Sequence, residues 1–211
     1  TRLVECEGII PEVASLGELL SVGMHAVKTF MNRSHKRRDT IGVWGDGNVG
    51  FVVALLVKAL LPESKLCVFG MDPYKLEYFT FADQIVNLAE GINKVSVDHA
   101  FECVGGMGCE SAIEHIIGCI EPEGTLTLMG VSENKVPIET RMVLEKGLTL
   151  IGRSRSGRAD FEEVARVLKE DQHLQQWHRR RSSCRQSRGS LCFRRACRLR
   201  ISSKQGHCVS W

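Results

Sequence analysis

The sequence has no long apolar run and few aromatic residues. No hydrophobic stretch reaches the roughly 18 residues that a membrane-spanning helix needs, so we expect no membrane partner. Aromatic residues make up 6% of the chain, against 43% hydrophobic residues in all, and packing therefore depends on aliphatic side chains. The opening residues, TRLVECEGII, lack both an initiator Met and the residue order of a signal peptide. We expect a cytoplasmic fragment or processed chain.

Cysteine pairs at metal-binding spacing are also scarce. Five of the nine cysteines stand singly in apolar surroundings, where cysteine behaves as a small buried hydrophobe: Cys6, Cys67, Cys103, Cys109 and Cys119. The other four, near the end of the chain, form no C-x-x-C pair: Cys184, Cys192, Cys197 and Cys208. We interpret the first five as reduced thiols of a cytosolic protein.

Acidic residues are absent from the last part of the chain. Residues 1–172 carry 18 Lys and Arg against 25 Asp and Glu, a formal charge of −7, whereas residues 173–211 carry 10 Lys and Arg and no acid. Three explanations stay open for this tail: a basic arm that binds nucleic acid, a Cys/His zinc site, and a shift of reading frame. We favour the frame shift, because Arg, Ser and Cys rise together without an amphipathic pattern, and we expect such a tail to be disordered.

From residue 40 onward the sequence alternates regularly between strand and helix patterns. Runs rich in β-branched and apolar residues predict strands at 40–45, 65–70, 83–88, 98–105, 124–130 and 148–154. Longer segments predict a mostly helical stretch at 11–30 and helices at 49–61, 73–81, 109–120, 140–147 and 160–169. Apolar strands that alternate with helices indicate a parallel sheet covered on both faces. We predict an α/β fold whose doubly wound, six-stranded parallel sheet occupies residues 40–172.

The stretch IGVWGDGNVGF links the first predicted strand of this sheet to the helix after it. It fits G-x-G-x-x-G with Gly45, Asp46, Gly47, Asn48, Val49 and Gly50. In this motif the first glycine permits a tight turn, the second admits a pyrophosphate and the third lets helix and strand pack closely. Phosphates would lie at the helix N-terminus, which Asp46 and Asn48 are expected to cap. The context predicts dinucleotide binding, with an empty doubly wound domain as the alternative.

The residue that would distinguish NAD from NADP is a glycine. An NAD site places an acid on the ribose 2′-hydroxyl about 20 residues beyond the motif, and this chain has Gly70 there. We interpret the glycine as leaving room for a 2′-phosphate and removing a charge that would repel it. Lys75 lies just beyond, and Asp72 comes two residues late but within reach of the ribose. We expect NADP(H) to be preferred over NAD(H).

Several segments together resemble the zinc-type medium-chain dehydrogenase/reductase superfamily, in particular its ribulose-5-phosphate reductase (ribitol-5-phosphate dehydrogenase) branch. They are GVWGDGNVG, DHAFECVGG, EPEGTLTLMGVSE and RMVLEKGLTLIGRSRSGRADFEEV. The likeness extends from about residue 2 to residue 168. It implies a two-domain enzyme in which a GroES-like catalytic domain holds a catalytic zinc and a Rossmann domain binds the coenzyme.

The resemblance also implies that much of the catalytic domain is not in this chain. Residues 1–39 would be its remnant and linker helix, while the Cys and His that open the zinc site would lie upstream of Thr1. Glu18, in LGELLSVGMHA, matches the acid that polyol dehydrogenases of this family place at or near the zinc. It is the one candidate metal ligand here, and a carboxylate on a helix surface is the alternative.

Further candidate site residues follow the predicted strands. The likeness and the rule that ligands gather beyond the carboxyl ends of strands assign to the nicotinamide pocket Cys103, Val104, Gly105, Gly130, Val131 and Ser132; the alternative is that these residues only turn the chain. Ser154 and Arg155 follow the sixth strand. Arg155 either binds a phosphate of substrate or cofactor or is a solvated loop cation. His25 and His115 are interpreted as packing residues.

The resemblance implies an oxidoreductase that interconverts ribulose 5-phosphate and ribitol 5-phosphate with NADP(H). Its partner would be a small sugar phosphate or polyol, and family members pair into homodimers through the edge of the sheet. We expect this chain alone to bind coenzyme weakly and to turn over little or nothing. The alternative is a non-catalytic nucleotide-binding module with a basic tail for nucleic acid, against which stands the lack of aromatic residues between the arginines.

Overall fold

The computed structural model describes residues 4–91 and 95–170. The chain divides into two compact units, one formed by Thr1–Ser21 and Ser156–Trp211 and the other by Val22–Arg155. The domain limits expected at residues 40 and 172 stay a prediction, and the tail from residue 173 lies outside the described residues. None of the helices in the described ranges combines the length and hydropathy that crossing a membrane requires.

The Val22–Arg155 unit contains a six-stranded sheet. Its strands are β1 (Thr40–Trp44), β2 (Lys65–Gly70), β3 (Gln84–Asn87), β4 (Val97–Glu102), β5 (Ile120–Leu128) and β6 (Thr149–Gly152). They are all parallel, in the order β3-β2-β1-β4-β5-β6. This order confirms the predicted doubly wound fold, in which the direction of winding reverses between β1 and β4.

The helices account for the burial of the strands. They are α1 (Pro11–Ala14), α2 (Gly17–Arg33), α3 (Asn48–Leu60), α4 (Pro73–Leu76), α5 (Cys109–Cys119), α6 (Thr140–Glu145) and α7 (Arg158–Glu170). All six residues of β4 are buried, as a strand covered on both faces requires. α3 buries eight consecutive residues, from Gly50 to Val57, because a helix that is apolar all round must lie inside the protein.

One helix prediction was wrong in extent and another was confirmed. The segment 11–30, predicted to be mostly helical, contains α1 and the greater part of α2, with Ser15 as the C-cap of α1. The helix predicted over 73–81 ends at Leu76, since Phe79 and Phe81 are both buried against Phe51, at centroid distances of 5.4 and 5.5 Å. Residues two apart do not share a helix face, so the chain leaves the helix in order to bury both rings.

The fifth strand begins earlier than predicted. β5 pairs with β4 already at Ile120, opposite Val97, and the register shifts before Thr125 pairs with His99. Glu123, within the irregular stretch, has φ of +64°. The polar EPEG segment concealed the start of this strand, because only pairing with β4 makes it extended.

In the other unit, α7 presents an apolar side to the beginning of the chain. Val164, Ala165 and Leu168 are buried and line an apolar hollow together with Val4, Cys6, Ile9, Ala14, Gly17 and Phe161. Pairs such as Arg158 with Glu162, at 2.7 Å, lie on the exposed side. The amphipathic pattern of α7 is therefore satisfied by packing within its own unit.

Candidate dinucleotide-binding site

The carboxyl ends of β1 and β4 meet at the point where the winding of the sheet reverses. Trp44 pairs with Glu102 as the last residue of each strand, and the Cys103 N–H donates to the Trp44 carbonyl at 2.8 Å. Beyond these ends the chain turns away in both cases, towards α3 and α5. In open α/β sheets, such a reversal leaves a crevice in which ligands bind.

The three glycines of the motif meet three different surroundings. Gly45 has φ of +125°, and a Cβ there would lie 2.8 Å from the Cys103 carbonyl oxygen. At Gly50 a Cβ would lie only 1.9 Å from the Gly45 carbonyl oxygen, so any side chain would separate α3 from β1. Gly47 is exposed and a Cβ on it would meet nothing within 4 Å. The first and third glycines therefore serve packing, while the second borders open space.

The N-terminus of α3 opens onto that space. Its N-cap is Gly47, which has no side chain to offer, and the first turn contains no acidic residue. The prediction that Asp46 or Asn48 caps the helix was wrong: Asn48 is already the first helical residue and Asp46 is engaged elsewhere. The first turn of an α-helix has N–H groups without carbonyl partners in the helix and carries a partial positive charge. With Asn48 and Val49 in that turn, the loop fits a pyrophosphate.

Asp46 connects the glycine loop to the end of β2. Its Oδ2 accepts hydrogen bonds from the N–H groups of Met71 and Asp72, both at 2.8 Å. The interpretation that Gly70 leaves room for a phosphate was wrong, because a Cβ on Gly70 would lie 2.8 Å from the Asp46 Cβ and 2.8 Å from Leu76 Cδ2. The space beside residue 70 is filled, in part by the Asp46 carboxylate of the glycine loop.

Asp72 and Lys75 lie on the next turn. Asp72 is the N-cap of α4, and its Oδ1 accepts from the N–H groups of Tyr74 at 3.0 Å and Lys75 at 3.4 Å. The Lys75 ammonium lies 3.7 Å from Asp46 Oδ1 and 3.5 Å from Asp72 Oδ2, with 52% of its side chain exposed. Lys75 is thus the cation beside the β2 end, shared between two carboxylates.

Residues 103–105 after β4 and residues 130–132 after β5, hereafter the paired loops, contact one another. The residues that flank the first loop bind the second: the Gly106 N–H donates to the Val131 carbonyl at 2.8 Å, and the Glu102 carbonyl accepts from the Gly130 N–H at 3.1 Å. Val104 and Val131 are 44% and 79% exposed. The structure therefore brings together Cys103, Val104, Gly105, Gly130, Val131 and Ser132, as a rim with apolar side chains beside the crevice.

Two residues of this rim were missed by the sequence reasoning. Glu102 is fully buried beneath the paired loops, and Met107, in the 3-10 turn Gly106–Gly108, is 95% exposed. A signal for Glu102 was present, since an acid near the end of a segment predicted to be a buried strand needs partners that the strand itself does not provide. Nothing in the pattern distinguished Met107 from a buried methionine.

The thiols at this edge are held protonated. Burial, and then the charge of Glu102, raise the pKa of Cys103 well above its usual value. The same two causes, with a hydrogen bond to Glu102, raise the pKa of Cys109 to about 11. Because a thiolate is the form that attacks or binds metal, these residues contribute bulk rather than reactivity.

The remaining candidates lie apart from the glycine loop. Ser154 and Arg155 follow β6, which β4 and β5 separate from β1. Arg155 is exposed and has φ of +65°, a strained conformation for a residue with a side chain. His115 accepts a hydrogen bond from the Trp44 indole at 3.0 Å, and its interpretation as a packing residue stays a prediction.

The described residues offer no ligand set for zinc. Glu18 is exposed in the first turn of α2. Within residues 4–91 and 95–170, no group of three or more His, Cys, Asp or Glu side chains is arranged to hold a metal ion. The part of the chain that the structure describes does not fit the metal, and Glu18 as a ligand stays a prediction.

Residues 64–170 match the protein family described as "Zinc-binding dehydrogenase". The chain is 54% identical over 168 residues to ribulose-5-phosphate reductase of Bacillus spizizenii, covering 79% of this chain and 49% of that protein. It is 49% identical over 152 residues to ribulose-5-phosphate reductase 1 of Staphylococcus aureus, covering 72% of this chain and 45% of that protein. The chain therefore spans about half the length of these curated relatives.

Solved structures show the same architecture. S. aureus TarJ in complex with NADPH is 44% identical, with a TM-score of 0.76 over 81% of this chain and 54% of that chain. L-idonate 5-dehydrogenase from Escherichia coli is 18% identical, with a TM-score of 0.68 over 78% of this chain and 47% of that one. At that identity the second likeness concerns the fold alone.

Proposed function

The chain belongs to the zinc-binding dehydrogenase family, and we propose that it is the coenzyme-binding portion of an NADP(H)-dependent oxidoreductase that interconverts ribulose 5-phosphate and ribitol 5-phosphate. The single observation that carries the coenzyme part of the proposal is the glycine loop. Two of its glycines are required by packing, while Gly47 borders open space at the N-terminus of α3, where it is the N-cap and has no side chain. That combination favours a pyrophosphate over an empty turn.

Three segments of the chain would each contact a different part of the coenzyme. The backbone from Gly45 to Gly50 would hold the pyrophosphate, and the turn from Gly70 to Lys75 would lie against the adenosine ribose. The paired loops would contact the nicotinamide. When the coenzyme is bound, this ring would supply the hydride transfer. Val104 and Val131 would keep water away from one side of the ring.

One relative and one cation favour NADP(H) over NAD(H), whereas one carboxylate disfavours it. TarJ, 44% identical, has been crystallised with NADPH, and Lys75 provides a half-exposed cation at the end of β2. The Asp46 carboxylate, 15% exposed, opposes a 2′-phosphate. We propose that Lys75 outweighs it, because two backbone N–H groups already satisfy the Asp46 oxygen nearest to them.

The substrate is proposed from the relatives. Both curated relatives described above are ribulose-5-phosphate reductases, and a sugar phosphate is therefore the proposed substrate of the whole protein. Since this chain corresponds to about half of their length, we assign it the coenzyme site and expect it to turn over little substrate alone. Arg155 stays the candidate for a phosphate contact, and a homodimer stays a prediction.

The test is calorimetric titration of the 211-residue chain with NADPH, comparing Gly47→Val with Gly118→Val. A Cβ at Gly118 on α5 also meets nothing within 4 Å, so both variants place the same side chain in open space. We expect NADPH to bind the unaltered chain and Gly118→Val equally, and Gly47→Val to bind about a hundredfold more weakly, because its side chain occupies the pyrophosphate position. No binding to the unaltered chain, or equal binding to both variants, would contradict the proposal.

A further inference from the structure

Glu102, the last residue of β4, has a fully buried side chain. Its Oε1 accepts hydrogen bonds from the N–H groups of Val104 at 2.8 Å and Gly105 at 2.9 Å, and its Oε2 accepts from Gly130 at 3.0 Å. Among the ion pairs of the described residues, none involves Glu102. The charge is satisfied by backbone N–H groups, which bind a carboxylate more strongly than a neutral oxygen.

The backbone of both loops is shaped around this carboxylate. A Cβ on Gly130 would lie 2.5 Å from each Glu102 carboxylate oxygen and 2.4 Å from the Gly105 nitrogen. Gly105 itself has φ of +64°, and a Cβ there would lie 2.9 Å from the Val131 carbonyl oxygen. The two glycines let the loops close over one side chain, which therefore sets the distance between them.

We propose that Glu102 is a positioning residue for the nicotinamide end of the coenzyme. One carboxylate holds the loop after β4 through Oε1 and the loop after β5 through Oε2, so that Val104 and Val131 face the crevice at a fixed separation. The inference rests on the proposed function, in which the paired loops contact the nicotinamide. The inference goes beyond the proposed function because it assigns the geometry of the paired loops to Glu102, a residue that touches no coenzyme.

The informative variant is Glu102→Gln. Glutamine has the same length and offers one oxygen, which can accept from Val104 and Gly105, but its amide nitrogen would face the Gly130 N–H, donor against donor. The loop after β5 is then released while the loop after β4 stays held. Glu102→Asp keeps the charge and withdraws both oxygens by one methylene, so it separates the effect of position from that of charge.

Asp98→Asn is the matched control. Asp98 lies in the same strand, is buried, and also changes from carboxylate to amide, but its partners are Thr40 N–H at 2.9 Å and Arg37 at 2.8 Å, at the amino end of the sheet. Melting temperatures of all variants, measured by circular dichroism, report any general loss of stability. A purely structural role of Glu102 would lower the melting temperature without changing which part of the coenzyme binds.

The readout compares two probes on the 211-residue chain: NADPH, and 2′-phospho-ADP-ribose, which lacks the nicotinamide. We expect Glu102→Gln and Glu102→Asp to bind NADPH about tenfold more weakly, with a smaller change of dihydronicotinamide fluorescence, while the affinity for 2′-phospho-ADP-ribose stays the same. Asp98→Asn should change neither affinity.

Three outcomes would overturn the inference while the proposed function stands. They are equal loss of both affinities, a Glu102→Asp variant that binds NADPH as the unaltered chain does, and an unaltered chain that binds both probes equally well. An unaltered chain that binds neither probe would overturn the proposed function itself, and this inference with it.

Discussion

β4 carries a buried acid near each end, and the two ends are built differently. At the amino end, Asp98 pairs with Arg37 at 2.8 Å and accepts from Thr40 at 2.9 Å. At the carboxyl end, the carboxylate of Glu102 accepts from three backbone N–H groups and has the Cys109 thiol as a further hydrogen-bond partner. A side-chain cation pairs with the acid at the amino end, whereas backbone donors from glycine-rich loops hold the acid at the carboxyl end, where the coenzyme is proposed to bind.

His99 extends the contrast. Its Nδ1 accepts from the Thr125 N–H at 3.0 Å and its Nε2 lies 2.9 Å from the Arg37 carbonyl, which makes Nε2 the protonated nitrogen. The ring packs against Phe30 and His35 at centroid distances of 5.0 and 4.3 Å. Both ring nitrogens are thus used to close the amino edge, where no coenzyme is proposed to bind. The same strand serves stability at its amino end and, in the proposed function, coenzyme binding at its carboxyl end.

The largest effect on stability and on NADPH binding is expected from adding a side chain at Gly50, next to the carboxyl end of β1. In Gly50→Ala the new Cβ would lie 1.9 Å from the Gly45 carbonyl oxygen, which is backbone and cannot rotate away. We expect α3 to shift, the free energy of unfolding to fall by about 3 kcal/mol, and NADPH binding to be lost. Urea unfolding followed by circular dichroism measures the first effect and calorimetry the second.

The control for this prediction is Gly118→Ala. This position is in the last turn of α5 with open space around it, so alanine is expected to leave the stability unchanged or to raise it by at most about 1 kcal/mol. If Gly50→Ala were as stable as the unaltered chain, the close approach of α3 to β1 would not be required, and the reading of the third glycine would be wrong.

The next effect is a fall in the free energy of unfolding at low pH, caused by His99 near the amino end of β4. Burial, and then the nearby charge of His35, lower the pKa of His99 to about 4. The unfolded chain therefore binds a proton near pH 6.5 that the folded chain refuses until about pH 4, so stability is present above pH 6.5 and is lost as pH falls through that window. The full loss is at most about 3 kcal/mol.

His99→Gln should remove most of this pH dependence, since glutamine can also donate one hydrogen bond and accept another. Urea unfolding at a series of pH values between 7 and 4 compares the slopes. His115, whose pKa burial also lowers, contributes a slope of the same sign, and His115→Gln measures it separately. An unchanged slope in His99→Gln would assign the acid sensitivity to other groups.

The smallest effect is expected on the choice between NADPH and NADH, from a change in the glycine loop. Asp46→Asn keeps an oxygen for the N–H groups of Met71 and Asp72 but removes the negative charge beside Lys75. We expect the affinity for NADPH relative to NADH to rise about three- to fivefold, the size of one partly exposed charge interaction. Fluorescence titrations with both coenzymes give the ratio.

Glu77→Gln is the control for this change, because Glu77 is exposed and directly follows α4. It should leave the ratio unchanged. A ratio that falls in Asp46→Asn would show that the carboxylate helps the 2′-phosphate site, contrary to the electrostatic argument.

Local pattern was enough for some features of this molecule and insufficient for others. The periodicity of KLCVFG and GTLTLMG predicts buried strands, and the spacing of Gly45, Gly47 and Gly50 predicts the turn, because both depend on neighbours in the chain. The filled space beside Gly70 was missed, since it is filled by Asp46, 24 residues earlier. Glu102 was missed for the same reason: its partner Gly130 comes from the loop after the next strand.

The sequence by itself determined the order of strands and helices, the parallel sheet and the glycine loop, since these follow from hydrophobic periodicity and from backbone freedom at single positions. Only the tertiary structure decided which carboxylate faces which backbone N–H group. The physical reason is that buried charges are satisfied by whatever donors the neighbouring strands bring within about 3 Å. That distance is set by packing across the sheet, and no periodic pattern in the sequence reports it.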